Sequence, residues 1–140
     1  RQANADVQYH DTLVSTEGTF EAGIFNFVNS TSLYFGIWYK SISPMTIAWV
    51  ANRNVPIQNS TAVLKLTDEG NLAILNGSKG IWSSNSSEIA VKPILLQLLD
   101  SGNLVVKDAE DTTENNLMWQ SFDFPGNTFL AAIKLKIKAI

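Results

Sequence analysis

The segment Leu66-Thr67-Asp68-Glu69-Gly70-Asn71-Leu72-Ala73-Ile74-Leu75 returns 32 residues downstream. It comes back as Leu98-Leu99-Asp100-Ser101-Gly102-Asn103-Leu104-Val105-Val106-Lys107. Each copy reads as strand, tight turn, strand, with a glycine where the chain must reverse. Each is followed by a tryptophan, Trp82 and Trp119. A weaker copy, Ser15-Thr16-Glu17-Gly18-Thr19-Phe20, places Gly18 at the position of Gly70 and Gly102, and Trp38 follows it. Units this small cannot bury an apolar face alone and must pack on one another. Three related units predict pseudo-threefold packing with tryptophans near the axis.

The segments between these copies extend the pattern. Short apolar stretches at 12–14, 19–27, 34–39, 47–52, 63–66, 72–75, 81–84, 95–98, 104–107 and 117–122 are bounded by Gly, Asn, Ser or Pro. Helical periodicity is scarce, so the expectation is an all-β chain of antiparallel neighbours. The strand at 47–52 has no evident counterpart in the other copies. With 140 residues and no linker, the chain is expected to form one domain over 1–140. Residues 1–10 read as an N-terminal lead-in, and 131–140 as a divergent C-terminal strand. The alternation of Ile or Leu with Lys over 133–138 reads as an edge strand guarded by lysines, or as one completing a sheet in a second copy, which would make a homodimer.

Composition removes several functions. The chain carries 16% charged residues and a net charge of −3, with no basic footprint for nucleic acid. No apolar stretch is long enough to span a membrane. Cysteine is absent, which removes thiol catalysis, disulfides and thiolate metal sites. Four N-glycosylation sequons begin at Asn29, Asn59, Asn76 and Asn85, and all fall in turns or between predicted strands. They point to a secreted or cell-surface chain. The single histidine, His10, has no nucleophile or metal-binding context, and the acidic clusters around Asp68 and Asp108 read as solvated loop charge. No catalytic residue, metal site or cofactor is expected.

The runs Gly36-Ile37-Trp38-Tyr39-Lys40 and Trp49-Val50-Ala51-Asn52-Arg53-Asn54-Val55-Pro56-Ile57 continue into the two repeats, Ile81-Trp82-Ser83-Ser84-Asn85 and Trp119-Gln120-Ser121-Phe122-Asp123-Phe124-Pro125. Together they resemble the bulb-type (monocot mannose-binding) lectin domain of plant S-domain receptor-like kinases, relatives of the S-locus glycoproteins. The resemblance covers about residues 10 to 130. It implies a type II β-prism of three pseudo-threefold-related, four-stranded antiparallel sheets, an apoplastic or cell-surface location, and N-glycosylation. It also implies a kinase domain in full-length relatives. After the Ser-Phe-Asp-x-Pro element such proteins continue as Leu-Leu-Pro-Gly-Met-Lys-Leu-Gly, whereas this chain reads Phe129-Leu130-Ala131-Ala132-Ile133-Lys134-Leu135. The divergence favours a naturally truncated secreted form over an excised domain.

Sugar-binding members of this group carry Gln-x-Asp-x-Asn-x-Val-x-Tyr at each site. Alternate residues share one strand face, so the three polar side chains project together at adjacent sugar hydroxyls. Anchored on Asn71, this chain supplies Thr67, Glu69, Asn71, Ala73 and Leu75. Anchored on Asn103, it supplies Leu99, Ser101, Asn103, Val105 and Lys107. The Gly18 copy gives Ser15, Glu17, Thr19, Glu21 and Gly23. A lost hydrogen-bonding partner costs about 1–3 kcal/mol, and a millimolar complex has only about 4 kcal/mol in total. All three sites therefore read as degenerate, with Thr67, Glu69, Asn71, Ser101, Asn103 and Val105 the residues that would touch a sugar. The expected function is noncatalytic recognition of an extracellular protein, peptide or co-receptor. The alternative is a working mannose-type lectin built on Asn71.

Overall fold

The computed structural model describes residues 2–3, 6–27, 30–58, 61–85, 93–110 and 117–124. Among them are twelve strands and one short 3₁₀ turn. The strands are β1 (Gln2–Ala3), β2 (Val7–Gln8), β3 (Thr12–Val14), β4 (Phe20–Phe25), β5 (Tyr34–Tyr39), β6 (Ile47–Val50), β7 (Ala62–Leu66), β8 (Leu72–Asn76), β9 (Lys79–Ser83), β10 (Ile94–Leu98), β11 (Leu104–Asp108) and β12 (Leu117–Gln120). The turn spans Ser121–Asp123. They form three four-stranded antiparallel sheets, ordered β3-β4-β5-β6, β2-β7-β8-β9 and β1-β10-β11-β12. The expected β-prism architecture is present.

The threefold relation is residue by residue. In the middle strand of each sheet the register slips at one place: after Ile37, after Ile74 and after Val106. Each bulge follows a residue paired with a tryptophan: Ile37 with Trp49, Ile74 with Trp82, Val106 with Trp119. Because side chains alternate across a strand, the inward rows run Leu13-Ala22-Ile37-Trp49 and Val7-Leu64-Ile74-Trp82, with Leu96-Val106-Trp119 in the third sheet. These rows converge on one apolar core in which Leu13, Ile37, Ile74 and Val106 are completely buried.

At its centre the three indoles close a triangle. Trp49 and Trp82 lie 6.1 Å apart, Trp49 and Trp119 5.9 Å, and Trp82 and Trp119 6.0 Å, at interplanar angles of 64–79°. Edge-to-face contact sets the positive rim of one ring against the negative face of the next. Three rings around an axis can satisfy this all the way round. The Trp49 indole N–H donates to the Phe124 carbonyl at 3.3 Å, and Phe124 stacks on Trp119.

This register corrects the reading of the first repeat. The Gly18 turn has the local geometry of the other two: the Gly18 N–H donates to the Ser15 carbonyl as Gly70 does to Thr67 and Gly102 to Leu99. It joins the outer pair β3–β4, however, whereas the Gly70 and Gly102 turns join β7–β8 and β10–β11. The counterpart of those strand pairs in the first sheet is β4–β5. Accordingly the threefold mate of Trp82 and Trp119 is Trp49, not Trp38. The strand that lacked a counterpart in the sequence, now β6, is the equivalent of β9 and β12.

The first ten residues are more than a lead-in. β1 pairs with β10 and β2 with β7, so this segment closes the edges of two sheets before β3 closes the third. Two-residue strands carry no periodicity by which to find them. The strand expected over 131–140 lies outside the described residues.

Truncating Trp49 or Trp119, 7% and 5% exposed, should each cost about 3–5 kcal/mol as the alanine variant. Trp82, which is only partly buried, should cost less. Urea unfolding curves check this ranking.

Candidate functional site

The outward faces of the three sheets carry the positions where a sugar site would stand. Register makes Gly36, Ala73 and Val105 equivalent, and likewise Trp38, Leu75 and Lys107. The first-sheet candidates Glu17, Thr19, Glu21 and Gly23 therefore give way to Tyr34, Gly36 and Trp38, the residues at the spacing of Asn71, Ala73 and Leu75.

On the first sheet this face is filled. Phe25, Trp38 and Val50 form a small buried cluster, with Tyr34 and Ile47 against it. The Trp38 indole N–H donates to Glu21 Oε1 at 3.1 Å, and the other carboxylate oxygen accepts from Thr12 Oγ1 at 2.8 Å. Gly36 is what allows the packing: a Cβ there would stand 2.5 Å from the Trp49 carbonyl oxygen and 2.8 Å from the Phe25 ring. The outer face of this sheet is a second core.

On the third sheet the face is closed differently. Asn103 is 5% exposed. Its Nδ2 donates to Gln120 Oε1 at 2.8 Å, and its Oδ1 accepts from the Phe122 N–H at 3.1 Å and from Ser121 Oγ at 3.3 Å. Val105 is completely buried and Lys107 is 8% exposed. Ser101 is exposed, and its Oγ accepts from the Asn103 N–H at 3.4 Å.

The second sheet presents its site residues to solvent or half-buried. Glu69 is exposed on the turn, and Thr67, Asn71, Ala73 and Leu75 are half-buried. Thr67 Oγ1 turns back to accept the Asn71 N–H at 3.0 Å, closing its own hairpin. Asn71 Oδ1 accepts from Ser84 Oγ at 3.5 Å. Ala73 lies between Lys65 and Ser83, and Leu75 between Val63 and Gly80.

Two residues absent from the sequence-based candidates organise these sites. Ser84 Oγ accepts the Leu72 N–H and Ser121 Oγ the Leu104 N–H, both at 3.0 Å. In the first sheet Asn52 Oδ1 takes the equivalent Phe35 N–H at 2.8 Å. Each latch holds a main-chain amide at the start of a middle strand: the first residue of β8 and β11 and the second of β5. The shared Trp-x-Ser pattern in Trp82-Ser83-Ser84 and Trp119-Gln120-Ser121 is the signal that could have revealed the two serines.

Of the four sequons, Asn29 and Asn59 lie outside the described residues. Asn76 ends β8, half-buried, and its Oδ1 accepts from Thr61 Oγ1 at 2.9 Å. Asn85 is exposed with φ at +50°. Among the described residues no group of three or more His, Asp or Glu is placed to hold a metal, and no helix is long and apolar enough to cross a membrane.

A threefold prism with a mannose-type motif position on each outer face defines a bulb-type lectin domain. Residues 46–140 match the D-mannose binding lectin family, and the chain belongs to it. Among curated plant proteins, it is 42% identical over 122 residues to the G-type lectin S-receptor-like serine/threonine-protein kinase At1g11300 of Arabidopsis thaliana, covering 86% of this chain and 14% of that protein. It is 40% identical over 130 residues to the Arabidopsis kinase SRK, covering 92% of this chain and 15% of that protein. It is 37% identical over 125 residues to the S-locus-specific glycoprotein S6 of Brassica oleracea, covering 89% and 29%. The chain thus spans less than a third of the length of each. Among solved structures, a monomeric monocot mannose-binding lectin from Gastrodia elata superposes with a TM-score of 0.61 at 21% identity. That match covers 86% of this chain and 94% of that one, and it shows the shared fold.

Asn103→Ala should destabilise the domain by about 1–3 kcal/mol, the cost of leaving buried partners unpaired. Gly36→Val, which restores the residue type of the sugar-binding motif, should also destabilise it, because backbone at 2.5 Å cannot move aside. Thermal melts of the two variants test both.

Proposed function

We propose that this chain is an extracellular recognition domain of the S-domain receptor class that works through protein contacts, its three mannose sites being degenerate. What supports the reading most directly is the fate of the three equivalent outer positions: Trp38 packed into a second core, Lys107 buried, and only Leu75 on an open face. A monosaccharide needs an amide, a carboxylate and a carboxamide converging on neighbouring hydroxyls. Asn103 has both ends of its carboxamide hydrogen-bonded within the protein. Beside Asn71, Thr67 offers a hydroxyl already used by its own turn. In a full-length relative the domain would stand outside the cell, coupled to a separate kinase domain, and would contact a peptide, protein ligand or co-receptor.

The second sheet favours one competing reading, mannose binding at Asn71, because Glu69, Asn71, Ala73 and Leu75 remain at least partly accessible. The two are separated on mannose agarose and on a glycan array. The expected result is passage without specific retention. Retention eluted by free mannose and abolished by Asn71→Ala would overturn the proposal in favour of the lectin reading.

A further inference from the structure

A groove of about 400 Å³ lies at the β2 edge of the second sheet, lined by Asp6, Gln8, Tyr9, His10, Asp11 and Thr61 together with the start of β7. It is separate from the Asn71 hairpin. Its chemistry is that of a polyol site. The Tyr9 and His10 rings meet at 4.7 Å and 82°, so they offer ring faces in two nearly perpendicular planes. Around them stand an amide, two carboxylates and a hydroxyl, a mixture of donors and acceptors rather than a single charge. Asp6 faces Lys65 at 3.8 Å, and Asp11 Oδ2 already accepts the Gln8 N–H at 3.1 Å. Of the two carboxylates, Asp6 is offset by Lys65 and Asp11 is held by a main-chain amide as a hydroxyl acceptor, an arrangement that suits a neutral, hydroxyl-bearing ligand. Concave sites of this size with an aromatic wall and a few placed polar groups are ordinary small-ligand sites.

One neutral polyol could begin at the rim. Thr61 lines the groove, and its hydroxyl donates to Asn76 Oδ1 at 2.9 Å. Asn76 is the acceptor of the sequon Asn76-Gly77-Ser78. The nitrogen to which a glycan attaches shares a carbon with that oxygen, so the first sugar would start beside Thr61. We infer that the groove holds a pyranose ring, and that its occupant is the first sugar of the protein's own Asn76-linked glycan. The apolar face of the ring would lie against Tyr9 and its hydroxyls would donate to Asp11 and Gln8. The inference rests on glycosylation of Asn76 and is independent of whether the Asn71 face binds mannose. Glycosylation would then brace β2, a two-residue edge strand whose strand partner among the described residues is β7.

The test uses the chain secreted from a eukaryotic host that installs high-mannose glycans. Peptide mapping reads occupancy at Asn76, and thermal melts compare the intact glycoprotein, the form trimmed to one sugar per site, and Asn76→Gln. The trimmed form should melt with the intact one, and Asn76→Gln should melt lower by about 3 °C, a shift expected of about 1 kcal/mol in a chain this size. Asn59→Gln and Asn85→Gln should not reproduce the loss. In a Tyr9→Ala background the Asn76→Gln difference should vanish. Because Tyr9 also packs on the core, a second readout uses isotope-labelled sugar, whose ring protons should show contacts to the Tyr9 ring in the unmutated protein. An unoccupied Asn76, an effect that follows Asn59 instead, or the absence of sugar-to-Tyr9 contacts overturns the inference. So does free saccharide shifting Tyr9 and Gln8 resonances in the glycosylated protein, which would make the groove a site for a foreign glycan. Asn71→Ala should leave the sugar-to-Tyr9 contacts and the melting difference caused by Asn76→Gln unchanged.

Discussion

The closed triangle of Trp49, Trp82 and Trp119 is the constraint on which the rest of the molecule depends. Among the described residues the three sheets share no strand pairing that would hold them at a common angle; their apolar side chains meet in one core. Edge-to-face contacts contribute about 0.5–1.5 kcal/mol per pair beyond burial, and they are directional. Three of them in a ring, at centroid distances of 5.9–6.1 Å, fix the mutual rotation of the sheets. The bulge beside each tryptophan's partner belongs to the same arrangement, since a bulge bends and twists a strand locally. The latches at Phe35, Leu72 and Leu104 then lock each middle strand at its start.

With stability held on the inside, the outer faces have diverged without disturbing the frame. The same register position holds Trp38, Leu75 and Lys107, and the strand pairing around it is the same in all three sheets. The first face has become a packed aromatic cluster, the third is buried, and the second remains open. The corner between the first and third sheets shows the tolerance in detail. The Glu17 N–H donates to Asp100 Oδ1 at 2.8 Å, and Gly102, at φ +90°, lies so close to the Phe20 ring that a Cβ would stand 3.0 Å from it. The turn glycine that opens a hairpin in one sheet also seats a phenylalanine from another.

The Gly70 and Gly102 hairpins were legible in the sequence, because a turn needing positive φ leaves a glycine behind and both copies kept it. All-β class and the prism followed from the repeat and from the resemblance around it. What misled was local similarity. Gly18 makes the same turn as its two counterparts, and nothing in a turn's own residues says which pair of strands it joins; that is decided by register across the sheet. Counting forward from Gly18 therefore selected Trp38 over Trp49. β1 and β2 escaped because a strand of two residues has no period. Ser84, Ser121 and Asn52 escaped because their partners are main-chain amides 12 to 17 residues away, which no spacing rule anticipates.

Asn71 and Asn103 show how far a motif can be read. In sequence they are the same residue in the same repeat, each placed two residues before an outward-facing small side chain. In the structure both carboxamides meet the serine that latches the following residue, at 3.5 Å for Asn71 and 3.3 Å for Asn103. The structural use of this asparagine thus comes with the fold, in either copy. Asn103 adds Gln120 and the Phe122 amide, which engages both ends of its carboxamide within the protein. A sugar site needs the asparagine plus two further polar neighbours held on the same face. The scaffold needs only the asparagine and the serine. A copy can therefore lose its ligand-gripping residues one by one while the Asp-x-Gly-Asn-Leu hairpin persists, because the hairpin is retained by the latch.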